Sequence, residues 1–369
     1  MKVAIIHDWL TGMRGGEKCL EVFCELYPSA TMFTLVHIKG GVSETIERMD
    51  IKTSFLQKFP NIEKNYRYYL PLMPKAIESF DLSGYDLILS SSHCVAKGVK
   101  VPKNATHICY CYTPMRYIWS MYDQYFGNSK FYVKIAIKMI MPYLQKWDIE
   151  SSKSVNYFVA ISEYVGERIG RIYNRNLDVI YPPVDTDFFS LTSDFGPRLY
   201  RGTLDYYLIV SAFAPYKKVD LAIEVFNQLG YPLKIVGSGQ DEGKLKKIAK
   251  KNIEFLGWRN NEELRNYYQN CKALIFPGEE DFGIVPVEAQ ASGKPVIAYR
   301  KGGVLETVVD GKTGVFFEEQ TVQSLSEAII KFEGMKFDEV VIRTNSEKFG
   351  REKFKKKIKN YIDEKLEKR

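Results

Sequence analysis

The chain has 369 residues, of which 45% are hydrophobic and 26% are charged, as is typical of globular proteins. This length can bury two hydrophobic cores and predicts two domains. The net charge of +7 lies mostly in the first half of the chain. It suits an anionic partner such as a membrane surface or a pyrophosphate, but it is too mild and too scattered to indicate nucleic acid binding.

The cysteines and the apolar segments limit the class of protein further. The six cysteines form no C-x-x-C pair and no zinc-like spacing with the four histidines, so we expect reduced thiols in a cytosolic protein. His7 and Asp8 interrupt the first apolar run, so no signal peptide is predicted. No apolar stretch reaches the length of about twenty residues that a membrane span needs.

Short β-branched runs alternate along the chain with segments of helical period, which predicts an α/β fold with parallel sheets and crossover helices. The runs are nearly continuous in apolar character, as buried parallel strands are. The predicted strands of the first half are 2–6, 31–36, 85–91, 106–111, 155–160 and 177–181. Those of the second half are 206–211, 232–236, 253–256, 273–276, 295–298 and 314–317.

Two prolines, Pro182 and Pro183, break this alternation, and a polar, poorly periodic stretch follows at 186–205. We therefore predict a first domain over residues 1–184 and a second over 185–349. Residues 350–369 have apolar side chains at helical spacing among many lysines, which predicts a terminal amphipathic helix.

A turn-rich loop in the second domain carries carboxylates between a strand that ends at Phe276 and a helix that Pro286 is well placed to start. The loop brings Glu280 and backbone N–H groups to the carboxyl edge of the sheet, where open α/β folds bind ligands. A helix N-terminus there favours a pyrophosphate. Glu288, expected in the first turn, can accept hydrogen bonds from ribose hydroxyls. An ordinary acidic turn before a helix would show the same pattern.

The span 276–317 resembles the donor-binding core of the family-four retaining GT-B glycosyltransferases. Glu280 and Glu288 match the E-x7-E signature of that family. The intervening Phe282, Gly283 and Ile284 and the downstream motifs G-G-V-L-E (302–306), D-G (310–311) and T-G (313–314) are also similar. The resemblance extends over essentially the whole chain. It implies two Rossmann-like domains whose parallel sheets face each other across a cleft, with the terminal helix packed on the first domain.

The resemblance also implies roles for these residues. Glu280 would contact the transferred sugar, backbone amides near Phe282–Ile284 would hold sugar hydroxyls and phosphate, and Glu288 would bind the ribose. The turn before a second-domain helix carries Ser211, Lys217 and Lys218. A lysine there can neutralise a leaving diphosphate, although a lysine pair before a helix can also be a solvated surface.

The chain departs from the family pattern in this same turn. The family usually places an arginine and a lysine here; Lys217 matches the lysine, but Ala212 stands at the arginine position. Lys218 or Arg14 could supply the missing charge. The glycine turn that begins at Gly237 has one glycine a position too late for a dinucleotide fingerprint, and it resembles the second glycine turn of the family's donor domain.

Candidate ligand-binding residues follow two strands of the first domain: the resemblance implies that Gly15 and Gly16 belong to a glycine-rich loop that faces the donor, and Tyr112 and Arg116 are predicted on the acceptor side. Gly15 and Gly16 allow close backbone approach to a phosphate or an acceptor, or else form a simple tight turn. Tyr112 aligns with a position where related enzymes often have a histidine, and a phenol cannot carry a proton near neutral pH as an imidazole can. Proton removal from the acceptor would then depend on the leaving phosphate. Arg116 could bind an acceptor phosphate.

Three further motifs have ordinary explanations. His93 and His107 are interpreted as structural. Asp185 and Asp187 spell the D-x-D of metal-dependent glycosyltransferases, but they follow the proline linker instead of a strand end, so no divalent metal is predicted.

Two segments combine basic, aromatic and apolar residues. Lysines recur at fourth-residue intervals through much of 130–146, and tyrosines and leucines alternate with basic residues in 55–77. Such elements can lie in a bilayer interface, or they can be partly buried helices with a solvated lysine edge. Peripheral membrane contact would suit a lipid-linked acceptor.

These features together predict a glycosyltransferase without a metal or other cofactor, and the resemblance implies retention at the anomeric carbon. Glu280 and Lys217 would be the catalytic residues. GDP-mannose is the favoured donor and a UDP-sugar the second choice, since similarity to bacterial mannosyltransferases of surface polysaccharide assembly implies mannose. The acceptor would be a saccharide or a polyprenyl-diphosphate-linked saccharide. Two alternatives stay open: a nucleotide-sugar epimerase of the same fold, and a degenerate protein that binds a nucleotide sugar without turnover.

Overall fold

The structure is a computed structural model and describes residues 1–119, 131–190 and 206–368. The side chains of residues 131–134 and 136 lie outside the described part. The chain divides into two compact units, residues 1–183 with 354–369 and residues 184–353. The sequence placed this division one residue later, after residue 184.

The first unit is built on a sheet of parallel strands. Its described strands are β1 (Val3–His7), β2 (Thr31–Thr34), β3 (Asp50–Thr53), β4 (Leu87–Ser92), β5 (Thr106–Cys111), β6 (Tyr157–Ala160) and β7 (Leu177–Val179). They lie in the order β3-β2-β1-β4-β5-β6-β7. The order therefore reverses between β1 and β4, where open α/β sheets leave a crevice at the carboxyl ends of the strands.

Helices connect these strands. The described helices are α1 (Gly15–Leu26), α2 (Glu44–Glu47), α3 (Ile62–Asn65), α4 (Met73–Glu78), α5 (Arg116–Trp119), α6 (Phe131–Ser152) and α7 (Glu163–Tyr173), with 3-10 turns at Phe55–Lys58, Tyr66–Leu72 and Ala96–Gly98. Side-chain caps fix several helix starts, as at α7, where Ser162 Oγ accepts a hydrogen bond from Val165 N at 3.1 Å.

The second unit repeats the architecture. Its described strands are β8 (Tyr207–Val210), β9 (Leu233–Val236), β10 (Ile253–Gly257), β11 (Leu274–Phe276), β12 (Val296–Tyr299) and β13 (Gly314–Phe317), in the parallel order β10-β9-β8-β11-β12-β13. Its helices are α8 (Thr186–Phe189), α9 (Val219–Leu229), α10 (Glu242–Ile248), α11 (Asn261–Asn270), α12 (Ile284–Ala291), α13 (Val304–Thr307), α14 (Val322–Glu333) and α15 (Glu339–Ser346), with 3-10 turns at Pro215–Lys217 and Glu347–Phe349. This order reverses between β8 and β11.

The last helix, α16 (Arg351–Glu367), packs on the first unit. The ring of Phe354 lies 6.2 Å from that of Phe23 and 5.5 Å from that of Tyr110. Tyr361 also donates a hydrogen bond to Asp178 Oδ2 at 2.8 Å. The apolar stripe that predicts an amphipathic helix is thus the stripe that this unit buries.

Every predicted strand is present, but β3 was not predicted. Its four residues, Asp50–Thr53, are mostly exposed at the edge of the first sheet. An edge strand needs no continuous apolar run, because only its neighbour β2 pairs with it. The predicted α/β class with two parallel sheets is confirmed.

A buried ion pair attaches α6 to the first sheet. Lys97 Nζ lies 2.6 Å from Asp148 Oδ1 and donates to the Asp148 carbonyl at 3.0 Å, and both residues are fully or almost fully buried. Asp148 Oδ2 accepts further hydrogen bonds from Trp119 Nε1 at 2.7 Å and Tyr173 OH at 2.8 Å. One cation and two neutral donors thus compensate one buried carboxylate, as buried charges require.

The two basic, aromatic segments are partly core elements. Tyr66, Met73 and Ile77 of the segment 55–77 are buried in the core of the first unit, whereas Tyr68 is 82% exposed. On α6, Met139 is 76% exposed. Lys130 of the second segment lies outside the described residues. Within the described residues, no helix has both the length and the apolarity to cross a bilayer. Contact with a membrane surface stays a prediction.

Candidate functional site

The loops that follow β8 and β11 meet at the carboxyl edge of the second sheet, where its strand order reverses. Lys217 Nζ forms an ion pair with Glu280 Oε1, which joins the two loops. The two side chains remain 14% and 26% exposed. Lys217 Nζ also lies 5.0 Å from the centre of the Tyr216 ring. The pair therefore places one cation and one anion, both accessible to a ligand, at the position where doubly wound folds bind nucleotides.

The helix α12 starts beside this pair. Gly283 has a φ of +87°, which favours glycine, and the helix begins at the next residue, Ile284. The prediction that Pro286 starts the helix is wrong, because the left-handed Gly283 turns the chain into the helix two residues earlier. Backbone N–H groups of the first turn have no partner within a helix, so Ile284 and Val285 can offer theirs to an anion.

Glu288 is the fifth residue of α12, so its predicted place in the first turn is also wrong. Its side chain is buried, with the residue 5% exposed, and its Oε2 accepts a hydrogen bond from Tyr268 OH at 3.0 Å. Burial, followed by the charge of Glu288, raises the pKa of the Tyr268 phenol well above its ordinary value. The phenol therefore remains a donor that holds this carboxylate in one orientation.

Glycines allow the neighbouring loops to approach the site closely. Gly302 has a φ of +91°, and a Cβ there would lie 2.4 Å from the Glu280 carbonyl oxygen. Gly303 N donates to that same oxygen at 2.9 Å. A Cβ at Gly237 would lie 1.8 Å from the Ser211 carbonyl oxygen. These contacts fix the backbones of Glu280 and Ser211, and larger residues would push them apart.

Ala212, which stands where the family usually has an arginine, is exposed. Lys218 adopts a left-handed conformation with φ of +54° and forms the N-cap of α9. Arg14, the other residue predicted to replace that charge, belongs to the first unit.

In the first unit, Gly15 and Gly16 form the first turn of α1, not a loop. The Arg14 N–H before them donates to Glu17 Oε2 at 2.9 Å. Tyr112 lies against this turn, since its OH donates to the Gly16 carbonyl at 2.8 Å and also hydrogen-bonds Ser91 Oγ at 2.8 Å. Its hydroxyl therefore holds the turn of α1 in place.

Burial raises the pKa of the Tyr112 phenol well above its ordinary value. The neighbouring His7 is fully buried, with Nδ1 3.0 Å from Ser91 Oγ and Nε2 3.5 Å from Glu17 Oε1. Burial raises the pKa of the Glu17 carboxyl, but the hydrogen bond and charge of His7 lower it more, so its pKa is below the ordinary value. Glu17 thus remains an anion at this edge of the sheet.

The other predicted residues of the first unit are dispersed. Arg116 opens the short helix α5, next to the undescribed residues 120–130. His107 is fully buried in β5, with Nε2 2.7 Å from Ser90 Oγ. Its burial lowers the pKa of the imidazole to about 3, so it is neutral under ordinary conditions. This placement fits the structural role predicted for it.

The sequence did not indicate a pair that Asp8 and His93 form. His93 Nδ1 lies 3.0 Å from Asp8 Oδ2, and Asp8 is fully buried. The sequence feature that could have indicated this pair is position, because Asp8 directly follows β1 and His93 directly follows β4. Those strands are neighbours at the reversal of the sheet order, where the ends of the two strands must lie side by side.

Asp185 and Asp187 flank the start of the short helix α8. In the described part of the chain, no group of three or more histidine, cysteine or acidic side chains is arranged to hold a metal ion. The six cysteines are all buried and form no disulfide.

Comparison with known proteins relates this chain to glycosyltransferases. Residues 195–353 match the family described as Glycosyl transferases group 1. An uncharacterized glycosyltransferase of Methanocaldococcus jannaschii is 29% identical over 210 residues, which cover 56% of each chain. An alpha-1,3/1,6-mannosyltransferase of Dictyostelium discoideum is 30% identical over 193 residues, or 42% of this chain and 46% of the relative.

A third relative is a GDP-mannose-dependent alpha-(1-6)-phosphatidylinositol monomannoside mannosyltransferase of Mycolicibacterium smegmatis. It is 28% identical over 193 residues, which are 46% of this chain and 50% of the relative. The chain thus spans about half the length of the curated relatives that it matches.

Solved structures match over the full length. A sucrose-phosphate synthase of Thermosynechococcus elongatus aligns with a TM-score of 0.73 at 16% identity and covers 100% of both chains. The Anabaena protein HepE in complex with UDP aligns with a TM-score of 0.69 at 16% identity, over 99% of this chain and 100% of HepE. At this identity the likeness concerns the fold alone, and it confirms the GT-B fold class with two Rossmann-like domains.

Proposed function

We propose that this protein is a glycosyltransferase that transfers a sugar from a nucleotide sugar to a saccharide or lipid-linked acceptor. The observation that carries the proposal is the Lys217–Glu280 ion pair at the strand-order reversal of the second sheet. It lies within residues 195–353, which match the glycosyl transferases group 1 family.

The two charges suit the two ends of a nucleotide sugar. Lys217 and the N-terminal N–H groups of α12 stabilise the negative charge that develops on the departing diphosphate. When that ligand draws Lys217 away, the Glu280 carboxylate stabilises the positive charge that develops at the sugar ring. The bond from the anomeric carbon to the phosphate oxygen breaks with its electron pair on the phosphate, the acceptor oxygen forms the new bond, and its proton passes to the leaving phosphate.

The finer assignments belong to the same proposal. The names of two relatives, a mannosyltransferase and a GDP-mannose-dependent mannosyltransferase, favour GDP-mannose as the donor. HepE was crystallised with UDP, which keeps a UDP-sugar as the second choice. Retention at the anomeric carbon rests on the match of Glu280 and Glu288 to the E-x7-E signature. No divalent metal is needed in this scheme, because Lys217 and backbone N–H groups meet the diphosphate charge.

A thermal-shift screen with GDP-mannose, UDP-glucose and ADP-glucose identifies the donor, because a ligand that binds only the folded state raises its stability. We then expect Glu280→Ala to abolish transfer while nucleotide affinity stays within about tenfold, or about 1.4 kcal/mol. Glu242→Ala is the control, since Glu242 pairs with Lys246 on the exposed face of α10. Wild-type turnover by Glu280→Ala would refute the role of Glu280.

The exposed Ala212, where related enzymes place an arginine, favours one alternative, a protein that binds the donor without turnover. This alternative predicts a thermal shift by the nucleotide sugar but no release of nucleoside diphosphate from it by the unmodified protein. An epimerase would instead convert the donor sugar in the absence of any acceptor, which product analysis detects.

A further inference from the structure

The helix α6 presents an apolar stripe to solvent. Ile135, Met139 and Tyr143 follow one another at intervals of four residues, so they lie along one side of the helix. All three side chains are exposed, and Met139 is 76% exposed. A contiguous apolar patch on a protein surface marks a site of interaction with a partner or a membrane.

The opposite side of α6 holds the helix on the first unit. Leu144 is buried in the core of that unit, and Asp148 forms the buried ion pair with Lys97. Trp147 Nε1 also donates a hydrogen bond to Glu78 Oε1 at 2.5 Å. These contacts fix the rotation of α6 about its axis, so the apolar stripe stays turned away from the core.

A second row of exposed residues runs beside the stripe and carries positive charge. Lys138, Pro142 and Lys146 are exposed and also follow one another at intervals of four residues. Within the described ranges, neither lysine forms an ion pair. Residues 131–147 contain no aspartate or glutamate. The nearest exposed acid of the helix, Glu150, is paired with Lys153 at 2.9 Å.

The two rows together form the outer face of α6, which consists of Ile135, Lys138, Met139, Pro142, Tyr143 and Lys146. Its chemistry suits an anionic bilayer surface. The apolar side chains can enter the boundary between headgroups and acyl chains, while the lysine stems lie beside them and the ammonium groups reach lipid phosphates.

A second copy of the chain suits this face less well. A two-fold contact pairs a patch with the same patch of the other copy. The lysines of the two outer faces would then meet one another without an acidic partner, and like charges that face each other across an interface oppose binding.

We propose that the outer face of α6 binds the surface of an anionic lipid bilayer. Because the stripe runs along the helix, the axis of α6 lies parallel to that surface. The contact goes beyond the proposed function and does not rest on it, although it would keep the chain close to a lipid-linked acceptor.

The test is co-sedimentation of the full chain with vesicles, without donor or acceptor. One set of vesicles is phosphatidylcholine alone and the other contains about one third phosphatidylglycerol. We expect the partition coefficient to be at least about tenfold higher for the anionic vesicles. Raising NaCl from about 0.1 M to about 0.5 M should weaken the binding, because salt screens exposed charges.

Two variants examine the two rows separately. Met139→Glu places a charge in the apolar stripe and should lower the partition coefficient at least about tenfold. Lys138→Ala combined with Lys146→Ala removes both cations and should lower it about 30-fold, since each lysine near an anionic surface contributes about fivefold. Thermal unfolding of both variants should match the wild type, because the altered side chains are exposed.

The second unit offers matched controls. Ile330 of α14 is 59% exposed, so Ile330→Glu makes the change of Met139→Glu on another helix surface. Lys244→Ala combined with Lys247→Ala removes two exposed lysines of α10. Both controls should sediment with anionic vesicles as the wild type does.

A fluorescent label reports whether the stripe enters the bilayer. The six native cysteines are buried, so Met139→Cys supplies an exposed thiol for a nitrobenzoxadiazole label. Its emission should shift to the blue when anionic vesicles are added, whereas the same label on Ile330→Cys should not respond.

The outcomes separate this inference from the proposed function. A chain that releases nucleoside diphosphate from a donor but sediments with neither vesicle overturns the inference and leaves the function standing. Vesicle binding that Met139→Glu and the double lysine variant both retain assigns the contact to another surface and overturns it. A dimer that Met139→Glu dissociates, without vesicle binding, assigns the face to a second copy and also overturns it. A chain that binds anionic vesicles through α6 but turns over no donor refutes the function and supports the inference.

Discussion

The two sheets reverse their strand order at equivalent places, yet the residues at the two reversals differ in kind. At the β1–β4 reversal, two histidines and two buried carboxylates, Asp8 and Glu17, are held in a dense hydrogen-bond network. At the β8–β11 reversal, Lys217 and Glu280 form one accessible ion pair beside a helix N-terminus. All four histidines of the chain precede residue 108.

The two units therefore differ in the chemistry of the side chains that they place at equivalent positions of their sheets. All four histidines lie in the first unit, whereas Lys217 and Glu280 present charges of both signs in the second. The contrast can be tested through stability, rate and pH dependence.

The largest expected effect is on the stability of the first unit. Lys97→Met removes the cation from the buried Asp148 carboxylate, which leaves that charge with two neutral donor side chains. We expect a loss of about 3–5 kcal/mol in the free energy of unfolding, measured in urea. Lys217→Met, which breaks the partly exposed pair of the second unit, should cost about 1 kcal/mol or less. Equal losses of unfolding free energy in Lys97→Met and Lys217→Met would contradict the contrast between a buried and an accessible ion pair.

The next effect is on rate in the second unit. Lys217→Ala removes the cation proposed to face the leaving diphosphate, and we expect kcat to fall about 10²–10³-fold. The control is Lys244→Ala, because Lys244 is 80% exposed and its ion pair with Asp241 is long, at 3.9 Å. Steady-state release of nucleoside diphosphate measures both. If the two variants retain similar rates, Lys217 has no electrostatic role in the reaction.

A third effect concerns acid sensitivity of the first unit. Burial lowers the pKa of His107 to about 3 in the folded protein, whereas an unfolded histidine titrates near about 6.5. The unfolded state therefore binds the extra proton, and stability is lost as the pH falls below about 6.5. Between pH 7 and pH 5 we expect a loss of about 2 kcal/mol from this residue.

Urea unfolding at pH 7 and at pH 5 measures this loss. His107→Gln should remove most of the loss of unfolding free energy between pH 7 and pH 5, whether or not it changes stability at pH 7. The control His37→Gln alters a partly exposed ring and should keep the pH dependence of the wild type. If the free energy of unfolding falls as much between pH 7 and pH 5 in His107→Gln as in the wild type, the burial of His107 does not set the acid sensitivity of stability.

The smallest effect concerns the contact between Tyr112 and the first turn of α1. Tyr112→Phe deletes the hydrogen bonds to the Gly16 carbonyl and Ser91 Oγ, which leaves buried polar atoms without that partner. We expect a loss of about 1–2 kcal/mol in unfolding free energy. Tyr68→Phe is the control, since Tyr68 is 82% exposed. A loss no greater than that of Tyr68→Phe would mean that the hydroxyl does not hold this turn.

The sequence indicated much of the candidate site of the second unit because its signals are local. Glu280, Gly283 and Glu288 lie within nine residues, and their spacing in the sequence does not depend on the rest of the fold. Small errors remained where one residue changed the backbone path. The left-handed Gly283 began α12 two residues before Pro286, which moved Glu288 into the second turn.

The Asp8–His93 pair of the first unit could not be predicted in this way. Asp8 and His93 are separated by 84 intervening residues, and each alone looks like an ordinary polar residue after a strand. The parallel register of β1 with β4 brings them to a distance of 3.0 Å. The partners of Tyr112, at Ser91 and Gly16, arise from the same long-range pairing.

The sequence by itself thus determined the two-sheet α/β architecture, its alternating strands and helices, and the Glu280–Glu288 segment, because periodicity and spacing are properties of adjacent residues. Only the tertiary structure decided which charges are paired, which are buried and which remain accessible. Those properties depend on strand order and on the close approach of distant loops. For this protein, they determine that Lys217 meets Glu280 and that Asp8 orients His93.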